Sequence, residues 1–313
     1  VSGTGRGPLG PLVPGDRVAL VGSAGPPPQE RLAAAEALLT DWGLQPVRLP
    51  SALARHARAD YLSGEDAERA ADFHQAWEDP SLSGIVVVRG GYGTVRMLDD
   101  LDVHRLRASG PKPVYGSSDV TALHELLREQ VGVPSWFTPM PATADLLDDP
   151  VAVQHLRRAM LEPWTERVHR GGGALAEGTA SGTLIGGNLS LLAMTLGARS
   201  RPPVDNTDAL VVLEDVNEET YRIDGYLTSL LRAGWFEGVA GVLVGSWKGC
   251  ALAEVHALIA ELLGELGVPI GTGFELGHGP GAESLPLGVP ARLEASAEAR
   301  LVIPALGETL KPA

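Results

Sequence analysis

Apolar residues in this chain come in short runs separated by amphipathic stretches. Arg17-Val18-Ala19-Leu20-Val21 reads as a buried strand, closed by Gly22-Ser23-Ala24-Gly25-Pro26. Leu32, Ala35, Leu39 and Trp42 then recur at i, i+3, i+7 and i+10, which places them on one face of a helix. Pro46-Val47-Arg48-Leu49 is the next strand, and residues 65–77 form a second helix stopped by Asp79-Pro80. Ile85-Val86-Val87-Val88 is an unbroken β-branched run, the pattern of a central parallel strand covered on both faces. Val114-Tyr115 predicts a further strand, and Leu123, Leu126 and Leu127 mark the helix after it. Strands alternating with helices predict an α/β fold with a parallel sheet.

The pattern changes near residue 144. A charged helical stretch over residues 149–161 is followed by Gly171-Gly172-Gly173, and residues 144–181 read as a linker. A second α/β segment follows, with strands at 210–213 and 239–244, helices at 223–233 and 252–266, and a closing hairpin from 291–295 and 300–303. The expected organisation is an N-terminal domain over residues 12–143 and a smaller C-terminal domain over 182–313, with no internal repeat.

Composition narrows the function. The 313 residues carry a formal net charge of −14, which argues against a nucleic-acid partner, because phosphate binding needs clustered cations. No apolar run approaches the roughly 20 residues of a membrane span. Residues 1–14 are rich in Gly and Pro and lack the apolar centre of a signal peptide, so a cytoplasmic location is expected. The single cysteine, Cys250, excludes an internal disulfide framework and reads as a small buried apolar residue. No His-Glu-x-x-His pair occurs, so no metal site is expected.

The candidate chemistry begins at Val114-Tyr115-Gly116-Ser117-Ser118-Asp119, a strand, a glycine and a small turn leading into a helix. Such a corner can lift a hydroxyl out of the backbone, and acyl transfer by serine needs a base, an orienting group and oxyanion donors beside it. Ser118 is the nucleophile candidate and Ser117 its rival; a helix-capping serine is the competing reading. Of eight histidines, seven lie in helical or charged surroundings. His278 sits in Gly277-His278-Gly279-Pro280-Gly281, a loop built to present a side chain. Glu214 ends the Leu210–Leu213 strand run, where an active-site crevice usually lies, with Glu218 and Glu219 as competitors. Arg89-Gly90-Gly91-Tyr92-Gly93 offers backbone amides for an oxyanion and matches no nucleotide-binding pattern.

Taken together and in order, these motifs resemble the LD-carboxypeptidase family of serine peptidases, which includes muramoyl-tetrapeptide carboxypeptidases and microcin C self-immunity peptidases. The resemblance runs through Pro14-Gly15-Asp16, Tyr61-Leu62-Ser63-Gly64, Arg69-Ala70-Ala71-Asp72, the Arg89–Gly93 loop with Arg96, and Ser118-Asp119 with Thr121-Ala122-Leu123-His124. It continues through Gly186-Gly187-Asn188-Leu189-Ser190, Leu213-Glu214-Asp215-Val216, Tyr221-Arg222-Ile223-Asp224, Gly277-His278-Gly279-Pro280 and Leu285-Pro286-Leu287-Gly288. It implies a Ser118–His278–Glu214 triad in a cleft between the domains, and an oxyanion hole from the backbone amides of Gly91 and Asp119. It also implies a homodimer that needs no metal or cofactor and acts on a small peptide. Arg89, Tyr92, Asn188 and Arg222 are candidates for substrate binding; a structural ion pair is the alternative for either arginine, and capping the following helix is the favoured reading of Asn188.

The chain departs from the family in two places. Ser117 stands where an aromatic residue usually precedes the serine, and Phe137-Thr138-Pro139-Met140 replaces the usual His-Gly-Pro-Met. Both bear on specificity more than on hydrolysis. Release of a terminal D-residue from a murein-type peptide is the first reading. An amidase conferring immunity to a peptide antibiotic, an acyltransferase and a non-catalytic binding protein are the alternatives.

Overall fold

The structure, a computed structural model, describes residues 7–198 and 205–305. Its first sheet contains β1 (Arg17–Val21), β2 (Gln45–Arg48), β3 (Gly84–Val87), β4 (Val114–Gly116) and β5 (Ser135–Phe137). These pair in parallel in the order β5-β4-β3-β1-β2. The central strands β1 and β3 are apolar and almost wholly buried, as a sheet flanked on both faces requires.

The second sheet is mixed and has eight strands: β6 (Arg167–Arg170), β7 (Gly173–Ala176), β8 (Gly178–Asn188), β9 (Ala209–Val216), β10 (Gly241–Lys248), β11 (Ile270–Thr272), and two further strands placed below. β12 (Leu285–Leu287) crosses back to the first sheet and lies antiparallel against β5. β13 (Pro290–Ala295) and β14 (Arg300–Ile303) form the expected hairpin and complete the second sheet, in the order β6-β14-β13-β8-β9-β10-β11-β7. The second sheet therefore has more strands than the first, although its domain was expected to be the smaller.

Two sequence expectations need correction here. The stretch 144–181 is not a bare linker. It holds the helices Ala144–Leu147 and Pro150–Leu161, and then β6, β7 and the start of β8, all paired into the second sheet. The helix expected from residue 65 begins at Asp66 instead. Glu65 is its N-cap, and its N–H donates to the Glu68 carboxylate at 3.0 Å, one arm of a capping box.

One apolar cluster joins the two sheets, running from Val18 and Trp136 to Leu184, Leu210 and Leu293; two more cover the outer faces. The sheets also meet through polar contacts. The backbone N–H of Asn188, the last residue of β8, donates to Thr121 Oγ1 at 3.0 Å. Gly187 has φ +135°, and a Cβ there would lie 2.6 Å from the same oxygen. A side chain there would crowd Thr121 and Phe137 across the junction. Among the described residues, no helix is long and apolar enough to cross a membrane.

Candidate active site

The junction at Thr121 fixes the site, because Ser118 lies three residues before it. Leaving β4, the chain passes through extended Ser117 and turns into a short 3₁₀ segment, Ser118–Val120, that runs on into the helix Thr121–Leu126. Ser118 has φ +57°, a left-handed conformation that is rare for a residue with a side chain. Gly116 makes the turn possible, since a Cβ there would meet the Val120 side chain at 2.9 Å. Neither start of the helical segments has a side-chain cap bond, so the capping reading of Ser118 finds no hydrogen bond behind it. His124 braces the corner from behind: Nε2 is 2.9 Å from Gly116 O and Nδ1 is 2.8 Å from Ser135 Oγ. Burial lowers its pKa to about 4, with the Gly116 bond opposing, so it stays neutral and structural.

The glycine loop lies against Ser118. A Cβ on Gly90 would sit 3.0 Å from both Cβ and Oγ of that serine. Gly91, at φ +115°, is exposed, and its N–H has no backbone acceptor among the described residues. The Asp119 carboxylate ties the loop to the corner by accepting the Thr94 N–H at 2.6 Å, just past Gly93. Burial raises the Asp119 pKa to about 6, against the Thr94 bonds and the nearby Arg69. Arg69 is itself buried, donating to Ser23 O and pairing with Asp66.

From the junction the second half of the site follows directly. Asn188 lies opposite Glu214 in the β8–β9 register. Glu214 is fully buried, and its Oε2 is 2.7 Å from His278 Nδ1. That bond separates Glu214 from the competing Glu218 and Glu219. Glu218 instead lies 3.3 Å from Arg222, and Glu219 is the N-cap residue of the helix Thr220–Arg232. The loop packs so tightly that a Cβ on Gly277, at φ +108°, would fall 2.3 Å from Glu214 Oε2. Burial opposes a charge on His278, but the Glu214 charge and hydrogen bond outweigh it and hold the imidazole pKa above its ordinary value. Asp215, beside Glu214, is pushed up to about 6, by burial first and by the Glu214 charge second.

The remaining candidates divide. Asn188 is spent on structure: Oδ1 accepts from Leu191 N and Ser190 Oγ, and Nδ2 donates to Asp215 at 2.9 Å. It caps a helix and braces the strand end. Arg222 is exposed and lies 3.3 Å from Glu218. Arg89 remains a candidate: half-buried beside Gly25, it donates to Pro26 O at 2.6 Å. Burial, then repulsion from Arg31 and Arg55, lowers its pKa. Tyr92 is 41% exposed and faces Tyr61, with ring centroids 6.1 Å apart, an aromatic rim beside the loop. Both departures from the family pattern, Ser117 and Phe137-Thr138, are buried in the packing behind the corner.

Sequence reasoning missed Lys248 and Asp145, whose side chains meet at 2.8 Å in a cavity of about 180 Å³ that His278 also lines. Lys248 ends β10, the parallel neighbour of β9, and strand ends beside Glu214 were the signal available. Cys250 is half-buried rather than buried. It accepts from Glu218 N at 3.4 Å, and burial raises its thiol pKa, which disfavours the thiolate.

Comparison with known proteins places this architecture. The model of the LD-carboxypeptidase N-terminal domain matches residues 18–138, and that of the LD-carboxypeptidase C-terminal domain matches residues 181–293. The chain belongs to the LD-carboxypeptidase family. A putative carboxypeptidase of Streptomyces coelicolor is 48% identical over 91% of this chain and 92% of its own length. A probable murein peptide carboxypeptidase of Bacillus subtilis is 32% identical over 93% and 92%. The crystal structure of an MccF-like protein from Bacillus anthracis str. Ames superposes with a TM-score of 0.83 over 95% of this chain and 98% of that one; at 23% identity it speaks for the fold alone. As an LD-carboxypeptidase family member the chain is a peptidase, and the sequence resemblance and two-domain α/β expectation hold.

Proposed function

We propose that this protein is a serine carboxypeptidase that cleaves an L,D-amide bond and releases the terminal D-amino acid of a murein-type peptide. The observation that carries the reading is the 2.7 Å bond between buried Glu214 and His278 Nδ1, which leaves Nε2 as the ring nitrogen for proton transfer. Ser118 Oγ attacks the scissile carbonyl and passes its proton to His278 Nε2. The oxyanion that forms is met by the N–H groups of Gly91 and Asp119. The C–N bond then breaks, the amine leaves with the proton from His278, and water, activated by the same imidazole, hydrolyses the acyl-serine. Glu214 holds the ring and stabilises its cation. Arg89 receives the terminal carboxylate, because it is a half-buried cation beside the loop whose nearest charged neighbours are other arginines. The protein acts in the cytoplasm, and as a homodimer, the latter as the family resemblance implies.

The test is a chiral assay of the amino acid freed from a tetrapeptide ending in an L-centre and D-alanine. Saturable D-alanine release is expected. Cleavage of an aminoacyl-nucleotide analogue with the tetrapeptide left intact would overturn the substrate and favour the self-immunity amidase. Amine-dependent transfer products in place of free acid would favour the acyltransferase.

A further inference from the structure

Away from the Ser118 corner, a second set of polar side chains is buried with polar atoms left unpaired. A cavity of about 50 Å³ lies between β6, the helix Pro150–Leu161 and the segment entering β12. It is lined by His155, Arg158, Arg167, His169, Glu283 and Ser284. This is several times the space that one water requires, and matches a small polyatomic ion. Arg167 and His169 alternate on β6 and share its inward face, each 6% exposed; Ser284 is 3% exposed. Three of their polar atoms, Arg167 Nε, His169 Nε2 and Ser284 Oγ, have no hydrogen-bond partner.

The charge balance points to an anion. The Arg167 guanidinium lies over the rings of Trp164 and Trp136, 5.2 and 5.4 Å from their centroids, and donates to Arg158 O. It has no carboxylate partner among the described residues. Glu283, the only carboxylate among the lining residues, is taken by His169 Nδ1. Arg158, the second guanidinium of the lining, is paired outward with Glu162 at 3.0 Å. Only the more distant Glu162 offsets the Arg167 charge; a buried guanidinium without a paired carboxylate is costly, and its planar fork fits an oxyanion.

We propose that this cavity is a second binding site, for a phosphate-type oxyanion, and that its occupancy steadies the loop that carries His278. Hydrogen phosphate accepts from Arg167 and Ser284, with His169 Nε2 as a further polar partner. The link to the loop is direct. Glu283 N donates to Glu275 O at 2.7 Å and closes a neck, with His278 in the loop between. His155 Nδ1 lies 3.1 Å from Gly281 O, and Gly281 N donates to Asp149 at 2.6 Å. A ligand held by Ser284, and by the histidine that grips Glu283, braces that neck from below.

The inference concerns binding and loop motion, and stands apart from the substrate assigned above. Its test is calorimetric titration of the protein with inorganic phosphate at constant ionic strength, with amide hydrogen exchange followed over residues 275–283. Saturable binding that slows exchange in the loop is expected. Arg167→Gln and Ser284→Ala should each weaken binding by about tenfold or more, the range for a lost hydrogen bond to a charged group. Arg89→Ala should leave it unchanged. Because Arg167 also packs on two tryptophans, Ser284→Ala decides the matter if Arg167→Gln fails to fold. Absence of saturable binding, or binding abolished by Arg89→Ala and untouched by Ser284→Ala, would overturn the site. Binding without any change in exchange over 275–283 would overturn the coupling.

Discussion

Ser118 and His278 are held in place by opposite means. Ser118 is positioned by the backbone: a left-handed φ of +57°, a small residue at Gly116, and a helix starting directly afterwards. His278 is positioned by a side chain: its loop is glycine-rich, and its ring direction comes from a carboxylate on another strand, 64 residues away. The serine half stores its geometry locally as strain, whereas the histidine half depends on packing between distant segments. Substitutions should therefore disturb the two halves differently.

The largest effect is expected where the chemistry itself is removed. Ser118→Ala should lower kcat by about 10⁴ to 10⁶ with folding intact, by analogy with nucleophile removal in other serine peptidases. Retained D-alanine release would hand the role to Ser117. Glu214→Gln should cost about 10³ to 10⁴ in kcat, because the ring loses its orienting charge. It should also move the acid limb of the kcat/KM profile. In the proposed mechanism the His278 base must be neutral to act, and Glu214 raises its pKa, so the wild-type limb is expected above the ordinary imidazole range. Losing that charge shifts the limb to lower pH; a limb that stays put would detach His278 from Glu214.

Smaller effects sharpen the contrast between strain and packing. Gly277→Ala places a methyl 2.3 Å from Glu214 Oε2, at a φ that side chains avoid. It should cost at least about 1 kcal/mol in chemical denaturation and roughly 10²-fold in kcat. Gly281→Ala, with only Val151 within 3.7 Å, is the control: it should cost about 1 kcal/mol and little activity. Ser117→Ala should be the mildest, changing kcat by less than about tenfold, since this residue is buried and its side chain caps nothing. A total loss there would move the nucleophile by one position.

The same contrast governs what could be read from the chain in advance. Long apolar runs such as Ile85–Val88 and the Val239–Val244 region are self-declaring, because burial on both faces leaves no polar position. The Ser118 corner was legible because a strand, a glycine and a helix stand next to one another. His278 stood out through its flanking glycines, and Gly277 proves to be required by contact with Glu214. The short strands were not legible. β5 and β12 have three residues each, too few for any periodicity, and β12 contains Pro286, tolerable because it is an edge strand. β6 and β7 hide behind a triple glycine that reads as a tether; a Cβ on Gly171 would in fact clash with Thr272 O at 2.5 Å. Lys248 and Asp145 meet only because the chain folds, being 103 positions apart.

The crossover of β12 has a consequence for how this protein can be taken apart. The segment bearing His278 leaves the second sheet after β11 and is sewn into the first sheet at β12, beside β5. A fragment ending at residue 143 would leave β5 with an open edge and the apolar cluster around Trp136 without its covering. The two halves are thus not exchangeable modules. They should melt together, and a graft from a relative has to carry both ends of the seam.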